Sequence, residues 1–136
     1  MASGNKGQKT GAGFYCYEDK EKSTNPDVEK LARKYAKEYG IKQREITPIE
    51  IEERCIFALI NEGFKIVEEG IAIRASDVDV VYCSAFGFPR YKGGPLHYAE
   101  HVGLDYIVKR INEFAKTHGD RWWTPSPLLV GLAKEE

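Results

Sequence analysis

The hydrophobic positions after residue 46 recur mainly at the three- and four-residue spacing of α-helices. Thr47-Pro48-Ile49-Glu50 combines an N-cap residue, a proline suited to the first helical position and a glutamate three residues after the cap. The helix that begins here is predicted to end at Gly70. Its apolar residues cover more than one stripe, so we expect a central helix that is buried on two sides. They are Ile51, Cys55, Ile56, Leu59, Ile60, Phe64, Ile66 and Val67.

Shorter helices are predicted on both sides of this one. Residues 27–39 lie between Pro26 and Gly40 and place apolar side chains at four-residue steps. Four more helices begin downstream, at the capping pattern Ser76-Asp77-Val78-Asp79, at Pro95, at Leu104 and at Ser126-Pro127. Two of them have clear inward positions: Val78, Val81, Tyr82 and Ala85 in one, and Ile107, Val108, Ile111 and Phe114 in the other. No stretch alternates long enough to predict a sheet.

These elements predict an all-α fold, a bundle of about five or six helices around one long central helix. Three regions are expected. Residues 1–25, with glycines at four positions, form a flexible N-terminal arm, residues 26–45 a linker helix, and residues 46–136 the helical domain.

Composition excludes several classes of function. Lys and Arg number 20 against 21 Asp and Glu, a balance that argues against a nucleic-acid-binding protein. No run of about 18 apolar residues is present, so no membrane span is predicted. Cys16, Cys55 and Cys83 are odd in number and far apart, which favours a reducing compartment over a disulfide framework. The ending Lys134-Glu135-Glu136 is not a peroxisomal signal, so we expect the cytoplasm, with the peroxisome as the alternative.

The segment Arg90-Tyr91-Lys92 is the candidate contact site for a phosphate or a carboxylate. It places two cations beside aromatic side chains in a compact loop between glycines. Arginine suits such a contact because its guanidinium binds these anions with two parallel hydrogen bonds. The alternative is a structural loop whose charges are solvated.

His97-Tyr98-Ala99-Glu100-His101 matches a zinc-hydrolase pattern, in which two histidines share one metal ion beside a glutamate. The predicted helix is short, and no third ligand has a recognisable context, so surface imidazoles are the favoured interpretation. The glutamates of the long helix are interpreted as a solvated face, with Glu50–Arg54 and Glu53–Arg54 as ion pairs. No metal site and no catalytic residue are predicted.

Five segments in order resemble the C-terminal domain of 3-hydroxyacyl-CoA dehydrogenases: NEGFKIVEEGIA (61–72), RASDVDVVY (74–82), GFPRYKGGP (87–95), VGL (102–104) and PSPLL (125–129). The likeness is to the second, terminal copy of that domain in the multifunctional enzymes of fatty-acid β-oxidation. KTGAGFY (9–15) is similar to the signature that closes the first copy, so the resemblance extends over roughly residues 7–133.

The resemblance implies that the chemistry lies outside this chain. In that family a separate Rossmann domain binds NAD and contains the catalytic His–Glu pair, and the first helical copy adds an Asn from an Asn-Arg pair. The corresponding pair here is Glu53-Arg54, so we expect no catalytic residue and no cofactor in this chain. The implied role is support, in which an apolar face docks on a dehydrogenase domain or forms a homodimer. Acyl-CoA is expected to bind to the parent enzyme and not to this chain alone.

Overall fold

The computed structural model describes residues 4–18 and 21–135, and the chain divides into two compact units, residues 1–45 and 46–136. The N-terminal unit contains a short 3₁₀ helix, Gln8–Thr10, two strands and one helix. Strands β1 (Tyr15–Glu18) and β2 (Glu21–Thr24) pair antiparallel, with Tyr15 opposite Thr24. The prediction of no sheet was therefore wrong, because strands of only four residues are too short to show a clear alternation.

Helix α1 (Pro26–Glu38) begins one residue before the predicted start, and Asn25 is its N-cap. The buried Asn25 side chain accepts a hydrogen bond from the backbone N–H of Asp27 at 3.0 Å and donates one to the Gly13 carbonyl at 2.8 Å. One asparagine thus caps the helix and also fixes the loop that precedes the hairpin.

The second unit contains the other five of the six α-helices found in the described residues. They are α2 (Pro48–Glu68), α3 (Ala75–Ala85), α4 (Pro95–Val102), α5 (Leu104–His118) and α6 (Pro127–Leu132). The predicted all-α fold with one long central helix is confirmed. Within the part of the chain that is described, no helix combines the length and the apolar character needed to cross a membrane.

Helix α2 begins as predicted, since the Thr47 hydroxyl accepts a hydrogen bond from the Glu50 N–H at 3.1 Å. It packs against α3, α4, α5 and α6. The core that they share consists of Phe57, Ile60, Phe64, Val78, Leu96, Ala99, Leu104, Ile107, Ile111, Phe114, Trp123 and Leu129. The prediction was wrong for Ile51 and Cys55 on α2 and for Val81 and Ala85 on α3, which are exposed.

A buried aspartate joins α3 to α4. The Asp79 carboxylate accepts hydrogen bonds from the backbone N–H groups of Leu96 at 2.7 Å and His97 at 3.2 Å. Asp79 therefore caps α4 rather than completing a capping box on its own helix. That role belongs to Asp77, which accepts a hydrogen bond from the N–H of Arg74 at 3.0 Å, so α3 begins earlier than its predicted Ser76 cap.

The last helix is held by a polar link to α2. The buried Asn61 side chain donates to the Thr124 carbonyl at 2.9 Å and accepts from the Ser126 N–H at 2.7 Å. Ser126 caps α6, as its sequence predicts, with its hydroxyl accepting from the N–H of Leu129 at 3.4 Å.

Candidate functional site

The position that the family resemblance singles out, Glu53, is a buried carboxylate in the second unit. It lies on the inner side of α2 with Phe57, Ile60 and Phe64, at steps of four, three and four residues, and is only 7% exposed. A carboxylate is costly to bury unless a cation or hydrogen-bond donors satisfy it. The buried Glu53 carboxylate therefore needs hydrogen-bond donors or a cation from a neighbouring helix.

Those partners come from one face of α5. Arg110 donates to Oε2 of Glu53 from Nε at 2.8 Å and from Nη2 at 2.6 Å, and Tyr106 donates its hydroxyl to Oε1 at 2.5 Å. Arg110 also pairs with Glu113 on its own helix. Tyr106, Arg110 and Glu113 are spaced by four and three residues, so they lie on the same side of α5.

The network raises the pKa of both of its donors. The hydrogen bond from Arg110 to Glu53 raises the pKa of the guanidinium, against the opposing effect of burial. The hydrogen bond to Glu53, followed by burial, raises the pKa of the Tyr106 phenol. Both oxygens of Glu53 therefore accept hydrogen bonds from the donors of this network.

A spectrophotometric pH titration should detect this arrangement through Tyr106. Its phenol is expected to lose its proton above the usual tyrosine pKa of about 10. Because folding favours the neutral phenol, the stability from this bond is present below about pH 10 and is lost as the pH rises through the raised pKa. Tyr106→Phe should remove one phenol that titrates above the usual tyrosine pKa. If the curves of the variant and the wild type do not differ in this way, the hydrogen bond from Tyr106 to Glu53 is contradicted.

A cavity beside Glu53 is too small for the substrate class that the resemblance implies. Its volume is about 200 Å³, below the roughly 300–1,000 Å³ that is typical of small-molecule sites. The residues that line it are Ile49, Glu52, Glu53, Ile56, Phe57, Tyr98, Val102 and Tyr106. The space admits a side chain or a few water molecules, but it does not enclose an acyl-CoA.

The candidate contact residues Arg90, Tyr91 and Lys92 form a 3₁₀ turn, and Lys92 makes side-chain contacts with other elements. Its ammonium lies 4.0 Å from the centre of the Tyr98 ring and 3.7 Å from Oε1 of Glu52. A hydrogen bond with Tyr98, and more weakly the charge of Glu52, raise the pKa of Lys92. Arg90 is exposed and Tyr91 is 87% exposed. The turn thus leaves Arg90 and Tyr91 accessible but directs Lys92 inward.

The zinc hypothesis is not supported by the positions of His97, Glu100 and His101. The two imidazole centres are 4.7 Å apart, Nδ1 of His97 lies 3.8 Å from the Glu100 carboxylate, and Nδ1 of His101 lies 3.0 Å from the His97 carbonyl oxygen. Across residues 4–18 and 21–135, no three His, Cys, Asp or Glu side chains are placed to hold a metal ion.

One of the two ion pairs predicted on α2 is present. Glu50 lies 4.0 Å from Arg54, as expected, but Glu53 pairs with Arg110 and not with Arg54. A signal was available in the sequence, because position 53 continues the apolar spacing of Phe57, Ile60 and Phe64 and so belongs to the buried side of the helix.

A match to a protein-family sequence model shows which family the chain belongs to. The model that describes the C-terminal domain of 3-hydroxyacyl-CoA dehydrogenase matches residues 51–136, which include α3 to α6 and all four members of the Glu53 network. The chain belongs to the 3-hydroxyacyl-CoA dehydrogenase C-terminal domain family. The resemblance given by the five sequence segments is thereby confirmed.

Curated relatives of this dehydrogenase domain are multifunctional enzymes. The chain is 46% identical over 131 residues to the peroxisomal bifunctional enzyme of Danio rerio and 40% identical over 133 residues to that of Homo sapiens. These matches cover 93% and 95% of the chain. It is 33% identical over 130 residues to the fatty acid oxidation complex subunit alpha of Vibrio parahaemolyticus, with 96% of the chain covered. The chain spans 18% of the length of each relative.

A solved structure agrees with the fold. The dehydrogenase part of multifunctional enzyme 1 from C. elegans superposes with a TM-score of 0.67 at 25% sequence identity. The match covers 92% of this chain and 29% of that one. The helical arrangement described above is therefore one that occurs within a larger dehydrogenase.

Proposed function

We propose that this chain is a non-catalytic support domain of a 3-hydroxyacyl-CoA dehydrogenase of fatty-acid β-oxidation, whose other segments oxidise 3-hydroxyacyl-CoA with NAD. The observation that supports this most is the state of Glu53. It occupies the position from which, by the family resemblance, the first helical copy supplies an Asn to the active site. Here, Arg110 and Tyr106 donate hydrogen bonds to both carboxylate oxygens of Glu53. In this proposal the residue stabilises the domain and takes no part in the reaction.

The NAD cofactor belongs, in this proposal, to another segment or subunit. The only glycine-rich stretch that resembles the start of a dinucleotide loop is Gly11-Ala12-Gly13. Its amides are used locally, since the Gly11 N–H donates to the Gln8 carbonyl at 3.1 Å and the Gly13 N–H to the Tyr15 carbonyl at 2.8 Å. A strand follows this stretch where a phosphate-binding loop would begin a helix, so the residues do not fit NAD.

Support requires an apolar docking surface, and α3 provides one. Ile73 two residues before the helix, Val80 and Val81 on it, and Phe86 immediately after it are exposed. We call these four residues the α3 face. Exposed apolar patches mark interaction sites, and the proposed occupant is a helical domain of the dehydrogenase, either in the same protein or in a second subunit.

The proposed location is the peroxisome, in place of the cytoplasm favoured by the sequence. The vertebrate relatives, at 46% and 40% identity, are named as peroxisomal enzymes. A fluorescent fusion of the protein in its own cells, compared with a peroxisomal marker, would decide between the two compartments.

A chimaeric enzyme tests the support role. The matching segment of the Danio rerio enzyme is replaced by this chain, and dehydrogenase activity is measured by NADH formation. Val80→Asp with Phe86→Asp is expected to reduce the activity by about tenfold or more, because charges on the α3 face prevent docking. The matched controls Arg90→Ala and His97→Ala, which alter exposed polar residues, should retain it. Loss of activity in a control, with the α3 face variant unaffected, would contradict the proposal.

A further inference from the structure

The small cavity beside Glu53 is bordered at the protein surface by the first turn of α2. Helix α4 contributes Tyr98 and Val102 to its lining, and α5 contributes Tyr106. The other lining residues lie on one face of α2, at the spacing of an amphipathic helix, and are Ile49, Glu52, Glu53, Ile56 and Phe57. Three helices of the second unit thus hold the walls of this cavity in place.

The walls of the cavity are mainly apolar, and three of them are aromatic. Phe57, Tyr98 and Tyr106 supply the rings. The rings of Phe57 and Tyr106 meet edge to face, with centres 6.1 Å apart and an angle of 87° between their planes. Aromatic rings pack favourably in this geometry, so the same walls suit a further ring inserted among them.

The charged groups around the cavity already have partners. Both carboxylate oxygens of Glu53 accept hydrogen bonds from donors on α5. Nζ of Lys92 lies 3.7 Å from the Glu52 carboxylate and 4.0 Å from the centre of the Tyr98 ring. A charged occupant would lose its hydration without gaining a partner here, which is costly. The cavity therefore favours an uncharged, apolar occupant.

The size of the cavity corresponds to one side chain. An apolar cavity of roughly 150 Å³ is large enough to hold a benzene ring, and this one measures about 200 Å³. Ile49, at its border, is 70% exposed and would be covered by the backbone that carries such a ring. Large apolar side chains that fill a preformed pocket are the usual anchors of protein interfaces.

We propose that one aromatic side chain from another segment of the dehydrogenase inserts into this cavity and packs among Phe57, Tyr98 and Tyr106. Relatives have ample chain to supply it, since this chain spans 18% of the length of the Danio rerio enzyme and 29% of the C. elegans structure. The proposal rests on the proposed support role and adds a second contact to that of the α3 face. The Glu53 network fixes the Tyr106 wall before docking, which lowers the entropy cost of binding.

Cysteine labelling tests whether the cavity is covered in the assembled enzyme. Ile49→Cys and Ile51→Cys place thiols two residues apart on α2, on opposite sides of the helix. Maleimide labelling, located by peptide mass spectrometry, is compared between the isolated chain and the chimaeric enzyme. The thiol of Ile49→Cys should react about tenfold or more slowly in the chimaera, because cover reduces access and disfavours the thiolate.

The Ile51→Cys variant is the matched control for this labelling. Ile51 is 54% exposed and does not line the cavity, so its replacement should react at the same rate in both proteins. Equal rates for Ile49→Cys in the isolated chain and the chimaera would overturn the proposal. Equal slowing at both positions would also overturn it, because the cover would then not be specific to the cavity.

Filling the cavity from inside gives a second readout. Val102→Phe places a ring there from α4, and NADH formation by the chimaera should fall about tenfold or more. The thermal midpoint of the isolated variant should not fall, since the ring fills empty apolar space. Ile49→Asp blocks the mouth instead and should cause the same loss, while its acid suits the first turn of a helix. Full activity in both variants would contradict the proposal.

The α3 face separates this proposal from the support role on which it rests. If Val80→Asp with Phe86→Asp lowers the activity of the chimaera but Ile49→Asp and Val102→Phe do not, the cavity takes no part in docking and the support role stands. If none of these variants lowers the activity, both proposals fail.

Discussion

Arg110→Ala is expected to lower the free energy of unfolding by about 3–5 kcal/mol, because it leaves the buried Glu53 carboxylate without its cation. The guanidinium donates two hydrogen bonds to one oxygen of Glu53, and only the Tyr106 hydroxyl would remain. Urea unfolding followed by circular dichroism measures the loss. The effect should be far larger than that of removing an exposed ion pair such as Lys30–Asp27.

A double substitution provides the control for this prediction. Glu53→Met with Arg110→Met removes both charges and keeps comparable volume, so it should cost much less than Arg110→Ala alone. A single variant that loses less than about 1 kcal/mol would show that Glu53 is solvated. A double variant that loses as much as the single one would show that packing, and not the unpaired charge, sets the effect.

Gly94→Ala is expected to cost about 3 kcal/mol or more, from backbone strain and from displacement of the cap on α4. Gly94 has φ +120°, and a Cβ placed there would lie 2.3 Å from Cβ of Asp79. The aspartate would have to move away from the Leu96 and His97 N–H groups that it now binds. Thermal unfolding measures the stability, and amide hydrogen exchange of Leu96 reports the loss of the cap.

Gly119→Ala is the matched control for backbone strain. Gly119 also has a positive φ, of +84°, but a Cβ there would meet no atom within 4 Å. Its substitution should therefore show the strain alone, roughly 1 kcal/mol. Equal losses at Gly94 and Gly119 would mean that the contact with Asp79 contributes nothing, and the account of the α4 cap would then fail.

The elements of the second unit follow from local sequence signals. Thr47-Pro48 and Ser126-Pro127 each combine a cap with a proline that lacks an N–H, so α2 and α6 begin where the sequence predicts. Gly70 and Gly119 follow α2 and α5 with positive φ values, as helix stops do. These signals act over a few residues, which is why they can be read without the tertiary structure.

The partners of buried polar groups were not predictable in the same way. Glu53 and Arg110 are 57 residues apart in the chain, and Asp79 caps a helix that begins at Pro95. Their pairing depends on how α2 packs on α5 and α3 on α4, which no local pattern specifies. The interpretation of Glu53 as part of a solvated face was wrong, since it is only 7% exposed. Its spacing from Phe57 was a local sign of burial, but no local pattern selects Arg110 over the adjacent Arg54.

The most direct test of the central claim is an assay of the purified chain with NAD and a 3-hydroxyacyl-CoA. We predict no NADH formation above the background without protein, because Glu53 is engaged by Arg110 and Tyr106 and the glycine-rich loop does not fit NAD. Saturable turnover that increases with the concentration of the chain and disappears in Glu53→Gln would contradict the account, since it would make this domain catalytic by itself.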